Sequence, residues 1–314
     1  RMIGTIYDAF SHTLRLHGPL ARLRYGREEL VAELIALLAE FPDLRFSLDD
    51  CIADAEDTLF SLRWTAAGSK TGAGRYGPPS GKEVEFGGQM LWRLEEGEVH
   101  EVWTETDQLS LLQQLEIDPL AYIAEGFDPA RREPQGFAQI QGELERGCGQ
   151  GAPSTEDAVL TPNGGVGRFF ENLWNRRDLG LAAEGYTADA RVAAPAGRVL
   201  IGPEAVQGYL LSLIAAFPDC VFSTDEIVAA AAADGTSGAA LRWTLQGTHR
   251  GQGIFGYPTG ERLRISGLSQ LRLEGDRIAA EWTQFDEFEI LKQITRRRLG
   301  DAAAEIREPE GGEE

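Results

Sequence analysis

An internal repeat limits what this chain can fold into more than any other feature of its sequence. Four segments occur twice in the same order, and the members of each pair agree in their prolines, glycines or tryptophans: LAEFPDLRFS (38–47) with IAAFPDCVFS (214–223), LRWT (62–65 and 241–244), GSKTGAGRYGPPSG (68–81) with GTHRGQGIFGYPTG (247–260), and VHEVWTETDQLSLLQQL (99–115) with IAAEWTQFDEFEILKQI (278–294). Copies of roughly 110 residues are too long for a solenoid repeat and are typical of a duplicated whole domain.

Each copy begins with a helical pattern and continues with strand-like runs. The segment GREELVAELIALLAEF from Gly26 has apolar residues close to helical spacing, and GPEAVQGYLLSLIAAF from Gly202 repeats this pattern. Alternating runs follow, with a hairpin turn expected at Glu96-Gly97 in copy one and at the equivalent point in copy two. Helices that precede a curved antiparallel sheet indicate the α+β class.

The two copies define the predicted domain boundaries. Residues 1–117 form the first domain, which is expected to lack a counterpart of the helix predicted from Val166, and residues 164–296 form the second. The stretch 118–163 is rich in Gly and Pro and is interpreted as a linker. Residues 297–314 are interpreted as an acidic tail, with its end EIREPEGGEE disordered.

Charge and composition exclude several kinds of partner and cofactor. A net charge of -20 would repel nucleic acid and anionic lipid, so neither is expected as a partner. The sequence has no run of about 18 apolar residues and no signal-peptide pattern, so we expect no membrane partner and a cytoplasmic location. Cys51, Cys148 and Cys220 are not spaced as CxxC, and the four histidines lack metal-ligand spacing. We therefore predict reduced thiols, no metal and no cofactor.

The loop GTHRGQGIFGYPTG and the hairpin EGDRIAAEWTQFD give the chain a family resemblance. Over Gly4–Leu115 and Val166–Ile294 the chain resembles the SnoaL-like polyketide cyclase family, which belongs to the nuclear-transport-factor-2-like superfamily. The resemblance implies two tandem cone-shaped domains, each a strongly bent antiparallel sheet packed with N-terminal helices around an apolar pocket. Because this superfamily includes cyclases, isomerases, hydrolases and binding domains, the fold alone leaves the activity open.

Alternate residues of the last strand are the first candidates for a site. In copy two, Trp282, Gln284 and Asp286 are predicted to share the pocket-side face. Burial beside an indole would raise the pKa of the Asp286 carboxyl and make it a usable proton carrier. The resemblance implies that an aspartate at this position is the acid/base for an intramolecular aldol closure. The other interpretation is that Asp286 caps the following helix, and both roles could occur together. The same face of copy one offers three further candidates, which are Trp103, Glu105 and Asp107. Glu105 is a second carboxylate on this face and would shift the pKa of Asp107 further.

An arginine and a histidine complete the predicted site. Arg242 in copy two and Arg63 in copy one could hold a substrate oxygen or pair with a carboxylate, although a solvated strand arginine is the alternative. His249 could relay a proton or orient Asp286, or it could be a loop residue without a catalytic role. Because copy one has Lys70 at the position of His249, we predict unequal pockets, with copy two the more active.

Three classes of function fit this reading. The first is a cofactor-independent cyclase or isomerase that uses aspartate general acid/base catalysis on an apolar, carbonyl-containing, polyketide-like molecule. The second is an epoxide-hydrolase-like enzyme, and the third is a non-catalytic small-molecule-binding or dimerisation protein. The expected partner is a small apolar or aromatic ligand. The two copies are expected to pack through their sheets as an internal pseudo-dimer, which could form further homo-oligomers.

Overall fold

The structure is a computed structural model that describes residues 3–19, 22–127, 165–231 and 236–307. Its elements repeat in the two halves of the chain, as the duplication requires. Copy one contains, in chain order, α1 (Gly4–Ala9), β1 (Phe10–Gly18), β2 (Arg22–Tyr25), α2 (Arg27–Glu40), β3 (Arg45–Ala53), β4 (Leu59–Ser69), β5 (Glu83–Glu95), β6 (Glu98–Thr106), α3 (Gln108–Gln114) and α4 (Pro119–Glu125). Copy two contains α5 (Gly165–Asn175), α6 (Leu181–Gly185), β7 (Tyr186–Ala194), β8 (Arg198–Ile201), α7 (Gly202–Ala216), β9 (Val221–Ala231), β10 (Thr236–Thr248), β11 (Arg262–Glu274), β12 (Arg277–Gln284) and α8 (Glu287–Arg307).

The long helices α2 and α7 begin and end where the sequence predicts. Gly26 and Gly202 have φ angles of 93° and 76°, a left-handed conformation that glycine adopts without steric cost, and each turns the chain into its helix. Both helices stop at the phenylalanine that precedes Pro42 or Pro218, because the residue before a proline is disfavoured in the helical conformation.

Each copy forms one six-stranded sheet, and the predicted α+β class is confirmed. The strand orders are β2-β1-β6-β5-β4-β3 and β8-β7-β12-β11-β10-β9. Four of the five strand pairs in each sheet are antiparallel, but β1 runs parallel to β6 and β7 runs parallel to β12. The expectation of an entirely antiparallel sheet is therefore corrected to a mixed one. The first strand of each copy enters beside the last strand in the same direction, and the sequence reading had not identified that first strand.

Bulges at equivalent positions bend both sheets. The pairing of β5 with β6 shifts register at Arg93/Leu94, and the pairing of β11 with β12 shifts at Arg272/Leu273. A further shift occurs in each copy where the LRWT strand pairs with its outer neighbour. Because a bulge bends its strand and increases the local twist, these shifts curl each sheet around its own helices.

The C-terminal helix α8 joins the helices of copy one. Phe288 belongs to the apolar core that contains Phe41 and Leu112, and its ring lies 5.9 Å from the ring of Tyr122 in α4. Two predicted boundaries differ from the structure as a result. The proposed linker begins with helix α4, and α8 continues through the first part of the proposed tail to Arg307. Helix α4 was not predicted, and α8 is longer than the short helical segment expected after Asp286; the two helices pack against each other across the copies. The remaining linker residues 128–163 and tail residues 308–314 lie outside the described residues.

Equivalent residues of the two sheets contact each other across the copies. The Arg63 guanidinium lies 4.2 Å from the ring centre of Trp282, and the Arg242 guanidinium lies 4.8 Å from that of Trp103. The amide Nε2 of Gln270 donates to the Ser61 carbonyl at 3.1 Å. An apolar cluster joins both sheets at the same surface: Ile52 and Leu91 from copy one with Val228, Ala240 and Leu268 from copy two. Such an exchange of equivalent contacts has the form of an isologous interface.

Candidate functional site

Six of the predicted site residues lie between the copies and do not line a cone. Trp282 and Arg63 stack on each other, as do Trp103 and Arg242, and Gln89 donates to the Trp282 carbonyl at 2.6 Å. The remaining two, Glu105 and Gln284, are buried on the same sheet faces. The predicted pocket-side orientation is therefore wrong for Trp282, Gln284, Trp103 and Glu105. The physical reason is that the last strands β6 and β12 are buried on both faces, one covered by the helices of their own copy and one by the other copy. Of the two readings of the arginines, pairing with a carboxylate is the one found: Arg242 donates to Asp225 at 2.8 Å and Arg63 donates to Asp49 at 3.4 Å.

Glu105 shows what this placement does to a carboxyl group. Its Oε1 accepts a hydrogen bond from the Ser266 hydroxyl of copy two at 2.6 Å, and only 3 % of the residue is exposed. Burial raises the pKa of Glu105 well above its usual value, and the nearby Asp286 charge acts in the same direction. Glu105 thus forms a hydrogen bond between the copies, and it is not among the groups that shift the pKa of Asp107.

The cone interior of copy two is lined by the residues that alternate with the predicted ones. Glu281 and Thr283 of β12 face it, together with Trp243 of β10. The cavity left among them has a volume of about 50 Å³, which is room for only a few water-sized groups. The aromatic and aliphatic side chains of α5 and α7 fill most of the cone.

A buried acid and a phenol face this small cavity. The Tyr186 hydroxyl donates to Glu281 Oε2 at 2.5 Å, and burial raises the pKa of Glu281 to about 7. Phe10 and Val102 occupy the equivalent positions of copy one, so the fold does not require the polar pair. The sequence reading missed Glu281 because it assigned the pocket to the opposite face of β12.

The cone of copy one contains a much larger cavity, with a volume of about 780 Å³. Trp64, Phe86 and Thr104 of its sheet line this cavity, and helix α2 contributes leucines. Helix α8 of copy two forms part of the wall, with Asp286 and Phe288 among the lining residues. The cavity is therefore built from both copies.

Asp286 caps a helix and also lies on the wall of the large cavity. Its Oδ1 accepts the Glu289 backbone N–H at 3.1 Å, which caps the start of α8. It also forms part of the wall of the large cavity. Burial raises the pKa of Asp286 to about 7; the charge of Glu289 adds to this rise, and Lys292 opposes it. A carboxyl that titrates near neutral pH can both accept and donate a proton there.

Asp107, the counterpart of Asp286, is held entirely by backbone groups. Its Oδ1 accepts from Ser110 N at 3.1 Å and from Ala196 N at 3.0 Å, and its Oδ2 accepts from Gly197 N at 3.1 Å. The two latter donors belong to the β7–β8 turn of copy two. Burial raises the pKa of Asp107, and the three N–H groups oppose the rise. Asp107 does not line either of the two cavities. Its hydrogen bonds to the β7–β8 turn instead join the two copies.

The sequence profile of the SnoaL-like polyketide cyclase family matches residues 1–115 and 165–294. The chain belongs to this family. The two matched segments coincide with the two copies, so the family domain occurs twice. A search of curated proteins found no significant match.

Several solved structures are similar to part of this chain. IdmH from Streptomyces antibioticus is 22% identical, with 37% of this chain and 88% of that chain covered and a TM-score of 0.34. TsrD from Streptomyces laurentii is 24% identical, with coverage of 36% and 82% and a TM-score of 0.33. A SnoaL-like polyketide cyclase from Agrobacterium tumefaciens is 19% identical, with coverage of 36% and 84% and a TM-score of 0.31.

The family loop that carries His249 does not bring it to Asp286. His249 is fully buried inside the loop, its Nδ1 lies 3.2 Å from the Thr259 hydroxyl, and its ring packs against Phe217. Burial lowers the pKa of His249, which keeps the imidazole neutral. The expected orienting contact between His249 and Asp286 is not among the contacts of the described residues, because the loop folds back on its own backbone. His249 and Lys70 both organise the loop from within.

Two further features bear on the kind of site. Among the side chains that the structure describes, no group of three or more His, Cys, Asp or Glu residues is arranged to hold a metal ion. In the same part of the chain, none of the helices combines the length and apolar character that a membrane span requires.

Proposed function

We propose that the large cavity binds an apolar, carbonyl-containing small molecule and that Asp286 moves a proton within it. The observation that carries this proposal is the position of Asp286, a carboxyl with a pKa of about 7 on the wall of a cavity of about 780 Å³. Aromatic side chains such as Trp64 and Phe86 line one part of the same cavity and would hold an apolar ligand, whereas charged side chains such as Arg75 line another part. Membership of the SnoaL-like polyketide cyclase family supports a cyclase or isomerase among the three classes.

The proposed chemistry needs no cofactor. The ionised form of Asp286 takes a proton from the carbon next to a carbonyl group, and the electron pair of the C–H bond moves to the carbonyl oxygen. The resulting enolate carbon attacks a second carbonyl of the same molecule, and Asp286 returns its proton to the new alkoxide. A single carboxyl near pH 7 can perform both transfers because each form is populated. In an isomerase the proton returns to a different carbon.

This proposal changes the ranking of the two pockets. The sequence reading placed Asp286 and its substrate in copy two, whereas the cavity that Asp286 lines belongs mainly to the cone of copy one. Copy two contributes the acid and helix α8, and its own cone is nearly filled. We therefore propose that the two copies act as one unit with one large ligand site.

One observation favours hydrolysis as a second candidate. Glu289 lines the same cavity as Asp286, and Lys292 forms an ion pair with it. The carboxyl groups of Asp286 and Glu289, with the Lys292 cation beside Glu289, could hold and activate a water molecule. Incorporation of ¹⁸O from labelled water into a product would favour this hydrolase, and a product isomeric with its substrate would favour the cyclase or isomerase.

The position of a bound ligand tests the proposed function. Crystals of the protein are soaked with a panel of bicyclic aromatic ketones, of which 1-tetralone is the first. We expect ketone density in the cavity of copy one, with the carbon next to its carbonyl group near the Asp286 carboxyl. Density only in the cone of copy two, or no density for any ketone at saturating concentration, would contradict the proposal.

A further inference from the structure

A tyrosine in the duplicated loop of copy one faces the large cavity. Tyr76 is 7 % exposed and lines that cavity together with Asp286. The equivalent residue of copy two is Phe255, which is 5 % exposed and packs against Phe217 in the core. Copy one therefore has a phenol at a point where copy two has only a ring.

The loop that carries Tyr76 is fixed by a buried ion pair that copy two lacks. Lys70 Nζ lies 3.1 Å from Glu40 Oε2 and donates to the carbonyl oxygens of Gly72 at 2.5 Å and Gly77 at 3.0 Å. The Glu40 carboxylate also accepts the backbone N–H of Tyr76 at 3.1 Å. Both charged side chains are almost completely buried. Such a closed set of contacts holds the backbone at Tyr76 in one conformation.

In copy two the same two positions are occupied by His249 and Ala216. The loop there keeps its shape around a neutral imidazole and has no carboxylate to hold the backbone of Phe255. The copy with Lys70 thus has the phenol of Tyr76 in its loop, and the copy with His249 has the phenyl ring of Phe255. The buried Lys70–Glu40 ion pair is thus found in the copy whose loop places a polar group in a cavity.

The Tyr76 hydroxyl accepts one hydrogen bond and still has its own hydrogen to donate. Gln108 Nε2 donates to the Tyr76 hydroxyl oxygen at 3.0 Å, which leaves the hydroxyl hydrogen to be directed elsewhere. Burial raises the pKa of Tyr76, so the phenol keeps its proton at neutral pH. The ring of Tyr122 lies 6.5 Å from that of Tyr76 and 5.9 Å from that of Phe288, which connects the phenol to the helix that Asp286 caps.

We propose that Tyr76 donates a hydrogen bond to the carbonyl oxygen of the ligand in the large cavity, a role that rests on the proposed function of Asp286. When Asp286 takes the proton from the neighbouring carbon, negative charge develops on that oxygen, and the Tyr76 hydroxyl stabilises it without giving up its own proton. The acid comes from copy two and the oxygen-binding group from copy one. Ligands that fit this arrangement are ketones whose acidic carbon and oxygen can reach both groups.

Replacing Tyr76 with the residue of the other copy tests the proposal. Tyr76→Phe removes one hydroxyl and keeps the ring that Phe255 shows to be compatible with this loop. Binding of 1-tetralone and of tetralin, the hydrocarbon without its oxygen, is measured by titration calorimetry. We expect the ketone to bind roughly tenfold more weakly to the variant and tetralin to bind equally to both proteins. Proton exchange at the carbon next to the ketone should fall by roughly 10²-fold.

The control is Tyr257→Phe, the same substitution at an exposed position in the loop of copy two, which should change neither binding nor exchange. Equal loss of ketone and hydrocarbon binding, or unchanged binding of both, would overturn the role of Tyr76. If the wild-type protein binds no ketone, both this role and the proposed function fail. If the ketone binds through Tyr76 but Asp286→Asn leaves exchange intact, only the proposed function fails.

Discussion

Replacing Glu281 with glutamine tests how the filled cone of copy two accommodates a buried acid. The usual pKa of a glutamate is 4.5, and burial raises the pKa of Glu281 to about 7. Between these values the folded protein holds a proton that the unfolded chain has released. Burial of the Glu281 carboxyl therefore costs no stability below about pH 4.5. The free energy of unfolding then falls as the pH rises from 4.5 through the folded-state pKa of about 7. At 1.36 kcal/mol per pKa unit, the loss amounts to about 3 kcal/mol.

The Glu281→Gln variant removes this dependence because an amide does not titrate. It still offers an oxygen to the Tyr186 hydroxyl, so the hydrogen bond inside the cone is kept. We expect the variant to be more stable than the wild type by about 1 kcal/mol at pH 5 and by about 3 kcal/mol at pH 8. Urea unfolding at four pH values between 5 and 8 measures the difference directly.

Glu274→Gln, at an exposed position of the neighbouring strand β11, is the matched control and should show no such trend. A constant stability difference between the Glu281 variant and the wild type across pH 5–8 would refute the reasoning. It would mean that the carboxyl of Glu281 is solvated and that the interior of the cone is wetter than the structure shows.

Four other substitutions test the contacts that organise the two copies. Glu40→Ala should cost about 3–5 kcal/mol in urea unfolding because it leaves the buried Lys70 ammonium unpaired. Arg63→Ala and Arg242→Ala should each lower the stability by about 1–2 kcal/mol, because each removes a cation stacked on a tryptophan of the other copy. Thermal unfolding should show similar losses for the two variants, and strongly unequal losses would contradict the equivalence of the two contacts. Asp107→Ala should cost about 2 kcal/mol by removing a helix cap and two acceptors for copy two, which the melting temperature reports.

The order of the main elements could be predicted from sequence because the repeat shows the same pattern twice. The helices that begin near Gly26 and Gly202 and the hairpin at Glu96-Gly97 have strong local signals, which are helical spacing, a following proline and turn residues. The first strand of each copy lacks such signals, and its parallel pairing with the last strand depends on contacts distant in sequence. This is why an antiparallel sheet was expected and a mixed one is found.

The face of a strand that lines the pocket could not be predicted here. Alternation identifies a buried face only when the other face is exposed to solvent, and both faces of β12 are buried. Trp282 and Arg242 are the aromatic and arginine residues that are enriched in interfaces, and they lie in one. Asp286 was identified correctly as a buried acid, but the cavity it lines is built from residues of the other copy, which no local pattern could reveal.

The most direct test of the central claim compares Asp286→Asn with Asp107→Asn. Both substitutions keep the shape of the side chain and a residue that caps helices well, and only Asp286 lines the large cavity. Exchange of the protons next to the carbonyl of 1-tetralone with deuterated water is followed by NMR, together with a melting curve for each protein. We predict that Asp286→Asn lowers the catalysed exchange by about 10²–10⁴-fold without loss of folding, and that Asp107→Asn leaves it near the wild-type rate. Equal exchange by the wild type and Asp286→Asn would contradict the account.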